Sequence, residues 1–258
     1  MKSVELCRCC KSSTSHIFTA LIIGHEAEYF DCPNCGYVQT QQPFWLGAAY
    51  KSAINDCDTG IMIRNQTNVS LILATLTTLG KLDGAVVDCA GGYGILVRLL
   101  RDRGVNALWS DPYCKNLLAR GFQYSNEEAV LVTAFEAFEH FVNPEIEVEK
   151  LFMVGPNLLI STELIASPAP PVDQWWYYGS SHGQHVGFFR LKTLQMLAKQ
   201  FKKHLVSNGL NYHLFTDKPL NGMQWNLNFR MARRFPFLYG RGLTSKVWQD
   251  FEKLSSKS

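Results

Sequence analysis

Ala85-Val-Val-Asp-Cys-Ala-Gly-Gly-Tyr-Gly94 decides the fold of this 258-residue chain. Four residues of buried-strand type run into a glycine-rich turn, a helical pattern follows, and Ala107-Leu-Trp-Ser-Asp111 places a carboxylate at the end of a second strand. Strand, tight turn, helix and a strand ending in an acid is the arrangement with which an α/β sheet holds an adenosine-containing cofactor. Gly91, Gly92 and Gly94 permit tight turning and close backbone approach, and the acid can accept hydrogen bonds from ribose hydroxyls. Outward from this unit the hydrophobic periodicity alternates: strand 85–88, helix 95–103, strand 107–110, helix 114–120, strand 129–134, helix 144–152, strand 157–162, helix 191–201, and closing strands at 204–207 and 212–216. Such alternation predicts an α/β fold with a doubly wound, mostly parallel sheet.

The glycine spacing discriminates between cofactors. A dinucleotide site prefers G-x-G-x-x-G, whereas Gly92-x-Gly94 continues as Ile95-Leu96-Val97 without a third glycine, which disfavours nicotinamide. The run Asp88-Cys-Ala-Gly-Gly-Tyr-Gly94 resembles motif I of class I S-adenosylmethionine (SAM) methyltransferases, an acid followed by three glycines at alternate positions, with Ala90 in place of the first glycine. The resemblance implies a Rossmann-like methyltransferase fold and SAM as cofactor. It puts Asp88, Ala90, Gly91, Gly92 and Gly94 around the methionine part and Asp111 on the ribose.

Composition narrows the class. The chain is 47% hydrophobic, enough for a sizeable core, and its net charge of +3 comes from interspersed charges of both signs, so no basic field announces nucleic acid. The start, Met1-Lys-Ser-Val-Glu-Leu-Cys7, lacks the apolar stretch of a signal peptide, and no segment approaches the ~18 apolar residues of a membrane span. A soluble, cytoplasmic protein is expected.

Cys7-Arg-Cys-Cys10 and Cys32-Pro-Asn-Cys35-Gly36 form two C-x-x-C pairs. In a cytosolic chain this spacing suits tetrahedral zinc, each pair making a knuckle that points two sulfurs at one ion. Cys7, Cys10, Cys32 and Cys35 are therefore expected to hold a structural Zn2+, with Cys9 a spare thiol and His16 and His25 weaker alternatives. A redox dithiol lacks a thioredoxin-like strand before either pair, and disulfides lack an export signal. Four protein ligands leave no open position for water, so the metal's task would be folding. Cys57, Cys89 and Cys114 are scattered and read as small core or turn residues. The expected organisation is a zinc ribbon over 1–44, a helical linker or cap over the cofactor at 45–82, with helices at Trp45–Ile54 and Asn65–Leu79, and the cofactor-binding domain proper over 83–258. From about Leu220 the tail is aromatic and basic without a clear period.

Ligands in an open parallel sheet sit at the carboxyl ends of the strands. Two segments meet that condition. Thr133-Ala-Phe-Glu-Ala-Phe-Glu-His140 resembles the Glu-His sequence at this place in many small-molecule class I methyltransferases, which would put Phe135 and Glu136 near the cofactor and Glu139 and His140 near the substrate. The irregular stretch Ser167–Phe189 carries Trp175-Trp-Tyr-Tyr178 and Ser180-Ser-His-Gly-Gln-His185, aromatic planes and neutral-range titrating groups that suit a lid and pocket wall. Its order resembles bacterial class I methyltransferases with an N-terminal zinc unit, many linked to saccharide or sugar-nucleotide modification. The deoxysugar C-methyltransferases of that group carry a further C-terminal domain that is not expected here, so their substrate and carbon-attack chemistry are not transferred. For a hydroxyl acceptor a base is needed, and the expected order is His185, then His140, with Glu139 orienting and Tyr177 or Tyr178 shaping the acceptor site. The partner expected is a small, sugar-containing acceptor. Two rivals are an RNA methyltransferase gripping RNA with the zinc ribbon, and a non-catalytic, zinc-dependent interaction module. Asp111-Pro112-Tyr113 follows the second strand rather than the fourth, which disfavours the first, and the retained Asp88, Gly92, Gly94 and Asp111 oppose the second. The attacked atom (oxygen, nitrogen or carbon) and the oligomeric state stay open.

Overall fold

The computed structural model describes residues 5–50 and 58–256. Its elements in chain order are β1 (Ser15–Ile22), β2 (His25–Asp31), β3 (Val38–Thr40), α1 (Leu46–Ala49), α2 (Ile61–Leu79), β4 (Ala85–Asp88), α3 (Ile95–Asp102), β5 (Asn106–Trp109), β6 (Ala129–Phe135), α4 (Pro144–Val154), β7 (Leu158–Ser161), β8 (Gly187–Phe188), α5 (Leu191–Gln200), β9 (His204–Ser207), β10 (Tyr212–Thr216), α6 (Gly222–Arg234) and α7 (Val247–Ser255). One sheet has the order β5-β4-β6-β7-β10-β9, with β4 parallel to both β5 and β6 and the closing pair β9 and β10 antiparallel. This is the α/β, Rossmann-like, mostly parallel sheet that the alternation implies. None of the described helices is long and apolar enough to cross a membrane.

Two compact units divide the chain. Unit 1 takes 1–55, 135–150 and 159–219, and unit 2 takes 56–134, 151–158 and 220–258. Within unit 1 a four-stranded antiparallel sheet, β1-β2-β3-β8, joins the N-terminal segment to a strand contributed from far along the chain. Alternation in His25-Glu-Ala-Glu-Tyr-Phe-Asp31 explains the inward face: Ala27 and Tyr29 are sealed while Glu26 and Glu28 stay at the surface. Tyr29, Val38, Trp45, Tyr178 and Phe188 then share one core. Within unit 2, α2 and α6 pack together, and the buried Trp225 indole N–H donates to Thr75 Oγ1 at 2.9 Å.

Three expectations change. Residues 114–120 form no helix. Asp111 Oδ1 accepts the backbone N–H groups of Tyr113 and Cys114, and the Asn116 side chain accepts from Ala119 N and donates to Ala119 O. These local side-chain bonds compete with the helical ladder. The tail, read as aperiodic, forms α6 and α7; Asn221 Oδ1 accepts from Gln224 N at 3.1 Å and caps the first. α2 starts at Ile61 rather than Asn65. Residues 51–54 of the expected Trp45–Ile54 helix, and Cys57, lie outside the described residues.

His213 gives unit 1 a pH dependence. It is fully buried between Ser207 Oγ and the Thr162 carbonyl, and burial lowers its pKa to about 4. The unfolded chain takes up a proton near pH 6.5 that the folded chain refuses, so stability present above that pH falls as the pH drops towards 4. Between pH 7 and 5 the loss from this one group should be roughly 2 kcal/mol. Urea titrations at both values check this: a loss that persists unchanged in His213→Asn would remove His213 as its source.

Candidate functional site

The turn after β4 belongs to unit 2. Asp88, 3% exposed, closes the strand; the Thr133 hydroxyl donates to its Oδ1 at 2.8 Å. Burial raises the Asp88 pKa to about 7, Thr133 opposes the rise and the Asp111 charge adds to it. Gly92 and Gly94 take φ of +49° and +88°, and the backbone turns so that Gly94 N donates to Gly91 O and Arg98 N to Gly94 O, starting α3. A Cβ on Gly94 would stand 2.8 Å from Ala119 N, whereas one on Gly92 would meet nothing among the described residues within 4 Å. The first position is closed by its own chain and the second opens onto space that a ligand backbone can approach. Asp111 Oδ2 accepts from Gly92 N at 2.9 Å, which ties the second acid to the glycine turn. Oδ2 keeps a lone pair for a hydroxyl donor, while Oδ1 is occupied by the N–H groups of Tyr113 and Cys114. Ala90 is half-buried and Gly91 buried, the latter beneath Trp109, whose indole N–H donates to Gly92 O at 2.9 Å. Open space over Gly92 with two acids at the strand ends fits the methionine and ribose parts of SAM.

The cysteine cluster lies in unit 1. Cys7 and Cys35 sulfurs are 3.5 Å apart, as are those of Cys10 and Cys32, and all four lie within 4.8 Å of one another. Sulfurs bound tetrahedrally at ~2.3 Å would be spaced about 3.8 Å, so the donor set fits one zinc ion. Both knuckles have the same build: Lys11 N donates to Cys7 O and Gly36 N to Cys32 O, each at 2.8 Å. Lys11 and Gly36 also share positive φ, +61° and +77°. Cys9 is buried outside the set, and burial pushes its thiol well up. An ion bound there would supply cross-linking, and the cluster is anchored to the fold by its neighbours: Thr193 Oγ1 donates to Cys35 O, and Arg190 pairs with both oxygens of Asp31 while donating to Gly36 O.

A second cluster of unit 1 follows β6, on a single turn of 3-10 helix at Phe138–His140. Glu139 is fully buried, and no donor among the described residues reaches hydrogen-bonding geometry at either carboxylate oxygen. Burial first, and the charge of Glu136 second, raise its pKa to about 8, against the nearby Tyr177 and Thr162 hydroxyls. His140 Nε2 stands 3.7 Å from Glu139 Oε1 while its Nδ1 meets Tyr50 Oη at 2.8 Å. Val186 N donates to Glu139 O at 2.8 Å, which fixes His185 beside His140, ring centroids 4.9 Å apart. His185 Nδ1 lies 2.6 Å from the Tyr177 carbonyl, which only accepts, so Nδ1 carries the proton and Nε2 is left with its lone pair. Burial lowers the His185 pKa to about 4 and holds His140 well below its usual value.

Glu139, His140, His185 and Tyr177 therefore meet in one place. Tyr178 is not among them: it packs with Phe18, Tyr29 and Phe188, and its hydroxyl donates to Pro170 O. Phe135 and Glu136 also belong to unit 1; Glu136 holds φ +50°, its N–H donating to Ser161 Oγ and its carboxylate accepting from the same hydroxyl. The segment Ser167–Phe189 is held from within unit 1, Trp45 Nε1 donating to Gly183 O and Gln184 Nε2 to Ala49 O, both at 2.9 Å. Sequence reasoning missed Thr133 and Tyr50. Thr133 opens the quoted Glu-His stretch, and its place on the strand beside β4 was the available signal; Tyr50 carries none.

Residues 63–205 match the family model described as a methyltransferase domain. Similar solved structures include CalO1, a methyltransferase in calicheamicin biosynthesis (11% identity, 59% of this chain and 54% of that chain, TM-score 0.41). Another is magnesium protoporphyrin IX methyltransferase from Synechocystis (13% identity, 66% and 90%, TM-score 0.44). A third is human N-acetylserotonin methyltransferase (13% identity, 59% and 52%, TM-score 0.42). The chain spans about half the length of the first and third. At these identities and TM-scores the likeness carries no conclusion about substrate or chemistry. No protein of curated function matches the chain.

Proposed function

This chain belongs to the methyltransferase-domain family, and on that premise we propose that it transfers the methyl group of SAM to a small-molecule acceptor, a saccharide or sugar nucleotide, in the cytoplasm. The observation that carries the reading is the turn after β4, where Gly92 faces space free of described residues while its N–H donates to Asp111. In this reading Ala90 to Gly94 line the methionine part, Asp111 takes the ribose hydroxyls, and Phe135 and Glu136 complete the cofactor's surroundings. Residues 1–44 act as the folding module around zinc, 45–82 as a cap and 83–258 as the methyltransferase domain proper.

SAM supplies an activated methyl and its own leaving group, so the chain's part is alignment of the acceptor and removal of its proton. For a hydroxyl acceptor the oxygen would gain the methyl with S-adenosylhomocysteine as the leaving group, and the hydroxyl proton would pass to His185 Nε2, the ring nitrogen that no described protein group occupies. Glu139 and His140 sit beside it to orient the acceptor, and Tyr177 holds the imidazole through its carbonyl.

A thermal melt of zinc-loaded protein with S-adenosylhomocysteine tests the cofactor. At 100 times its dissociation constant the ligand should stabilise the native state by about 2.7 kcal/mol. Gly94→Ala, which forces a Cβ against Ala119 N from positive φ, should lose that shift. No shift in folded, metal-replete wild type would turn the reading towards the interaction module. For the base, His185→Ala should lower turnover about a hundredfold while leaving S-adenosylhomocysteine affinity intact. Unchanged turnover would take His185 out of the mechanism.

A further inference from the structure

Outside the cysteine cluster, one group among the described residues brings three metal-ligating side chains together: Glu139, His140 and His185, each offering an atom within 4.8 Å of the others. We propose that they bind a divalent transition-metal cation through a Glu139 carboxylate oxygen and the Nε2 atoms of His140 and His185. The inference goes beyond methyl transfer and does not depend on it.

Three observations support it. The Glu139 carboxyl is sealed from solvent with neither oxygen in hydrogen-bonding geometry to any described residue, an arrangement whose cost a bound cation would remove. Both imidazoles are turned as metal-bound histidines are, with the far nitrogen engaged: His185 Nδ1 donates to the Tyr177 carbonyl, and His140 Nδ1 meets Tyr50 Oη. Access exists as well, since the His140 side chain is 21% exposed while Glu139 is closed off.

The donor set selects the ion. Two imidazoles and one carboxylate suit zinc, iron(II), cobalt or manganese and ill suit calcium, which takes oxygen ligands. His140 Nε2 and Glu139 Oε1 are 3.7 Å apart; tetrahedral ligands at ~2.0–2.1 Å would be about 3.4 Å apart, a difference that small side-chain rotations cover. His182, its ring 4.7 Å from that of His185, accepts from Gln184 N through Nδ1, so Nε2 carries its proton and it is not a ligand in this arrangement. Three protein ligands leave positions open for a substrate oxygen. A hydroxyl bound there would become more acidic, and His185 Nε2, once a ligand, could not also take the acceptor's proton, so metal binding replaces His185 as the base.

Zinc-loaded protein dialysed against Co2+ tests the site, with elemental analysis of total metal per chain. Wild type should hold about two ions, and Glu139→Gln and His185→Ala about one. Thiolate-to-cobalt charge-transfer absorption identifies any cobalt exchanged into the cysteine cluster, so the two sites are counted separately. About one ion in the wild type, or about two in both variants, would overturn the proposal. If His185→Ala fails to fold, the near-isosteric Glu139→Gln carries the test alone. Metal retained without an S-adenosylhomocysteine shift would sink the cofactor reading and leave this site standing, and the converse result would do the opposite.

Discussion

Chelation of metal from the cysteine cluster is expected to abolish the fixed tertiary structure of unit 1. Structural zinc in four-thiolate sites contributes about 10–16 kcal/mol of apparent binding energy at neutral pH, as large as or larger than the roughly 5–15 kcal/mol by which whole domains are stable. The loss would not stay local. Cys35 O accepts Thr193 Oγ1 at the start of α5, and Arg190, next to it in the helix-capping turn, binds Asp31 at the end of β2 and the Gly36 carbonyl. Arg8, between the first two cysteines, donates to the carbonyls of Thr40 and Val186, while its backbone N–H is bonded to Gln39. Through these bonds the knuckles hold β2, β3 and the segment that carries His185. A strong chelator with a colorimetric zinc indicator should release two ions per zinc-loaded chain, one of them from the cysteine cluster, as near-ultraviolet circular dichroism collapses, and Cys10→Ser should reproduce much of the effect. Full retention of that signal after complete metal removal would show that the thiols hold unit 1 together without an ion.

Legibility in the sequence follows distance along the chain. The turn after β4 and the two knuckles were readable because each is a local device: glycine where φ must be positive, sulfur pairs at knuckle spacing. Strand positions were readable because β4, β6 and β7 are continuous apolar runs. The pairing of β8 with β3 was not, since Gly187 and Phe188 show no strand signal until a partner some 150 residues away provides the edge. Nor was the Glu139 cluster legible as a unit. Glu139 and His140 stood out by resemblance and His185 by its place in a long loop, but their convergence depends on the Val186–Glu139 backbone bond and on Trp45 and Ala49 gripping the 183–184 turn. At 114–120 the helical pattern lost to Asp111 and Asn116, residues that can replace a helix's hydrogen bonds with their own. Asn221 was the reverse case: a capping residue stood at the head of α6, but the mixed polar and aromatic sequence after it obscured the period.

Asp250→Ala is expected to destabilise unit 2 by about 3–5 kcal/mol, the range for breaking a buried ion pair from one side. Asp250 is 2% exposed on α7, and Arg101, 5% exposed on α3, binds it through two nitrogens at 2.6 and 2.7 Å. Arg98 adds a third contact at 2.8 Å. Burial opposes ionisation of Asp250, but the hydrogen bonds and charges of Arg101 and Arg98 outweigh it and hold the carboxyl below its ordinary range. Deleting the acid leaves a guanidinium that cannot deprotonate, enclosed beside the Ala107 carbonyl and 3.7 Å from the Phe122 ring centroid. Lys246 N also donates to Arg101 O, so the helix and the pair are docked together. Because the folded pKa is depressed, the pair's contribution is present above the ordinary carboxylate range and lost as the pH falls through the folded value; the Asp250→Ala penalty should therefore shrink in acid. Urea denaturation followed by tryptophan fluorescence at pH 7 and at low pH measures both effects. The double variant Arg101→Met with Asp250→Leu should recover most of the loss, since removing both charges leaves none buried alone. A single-variant penalty under about 1 kcal/mol would place the pair with surface salt bridges and deny α7 its anchoring role.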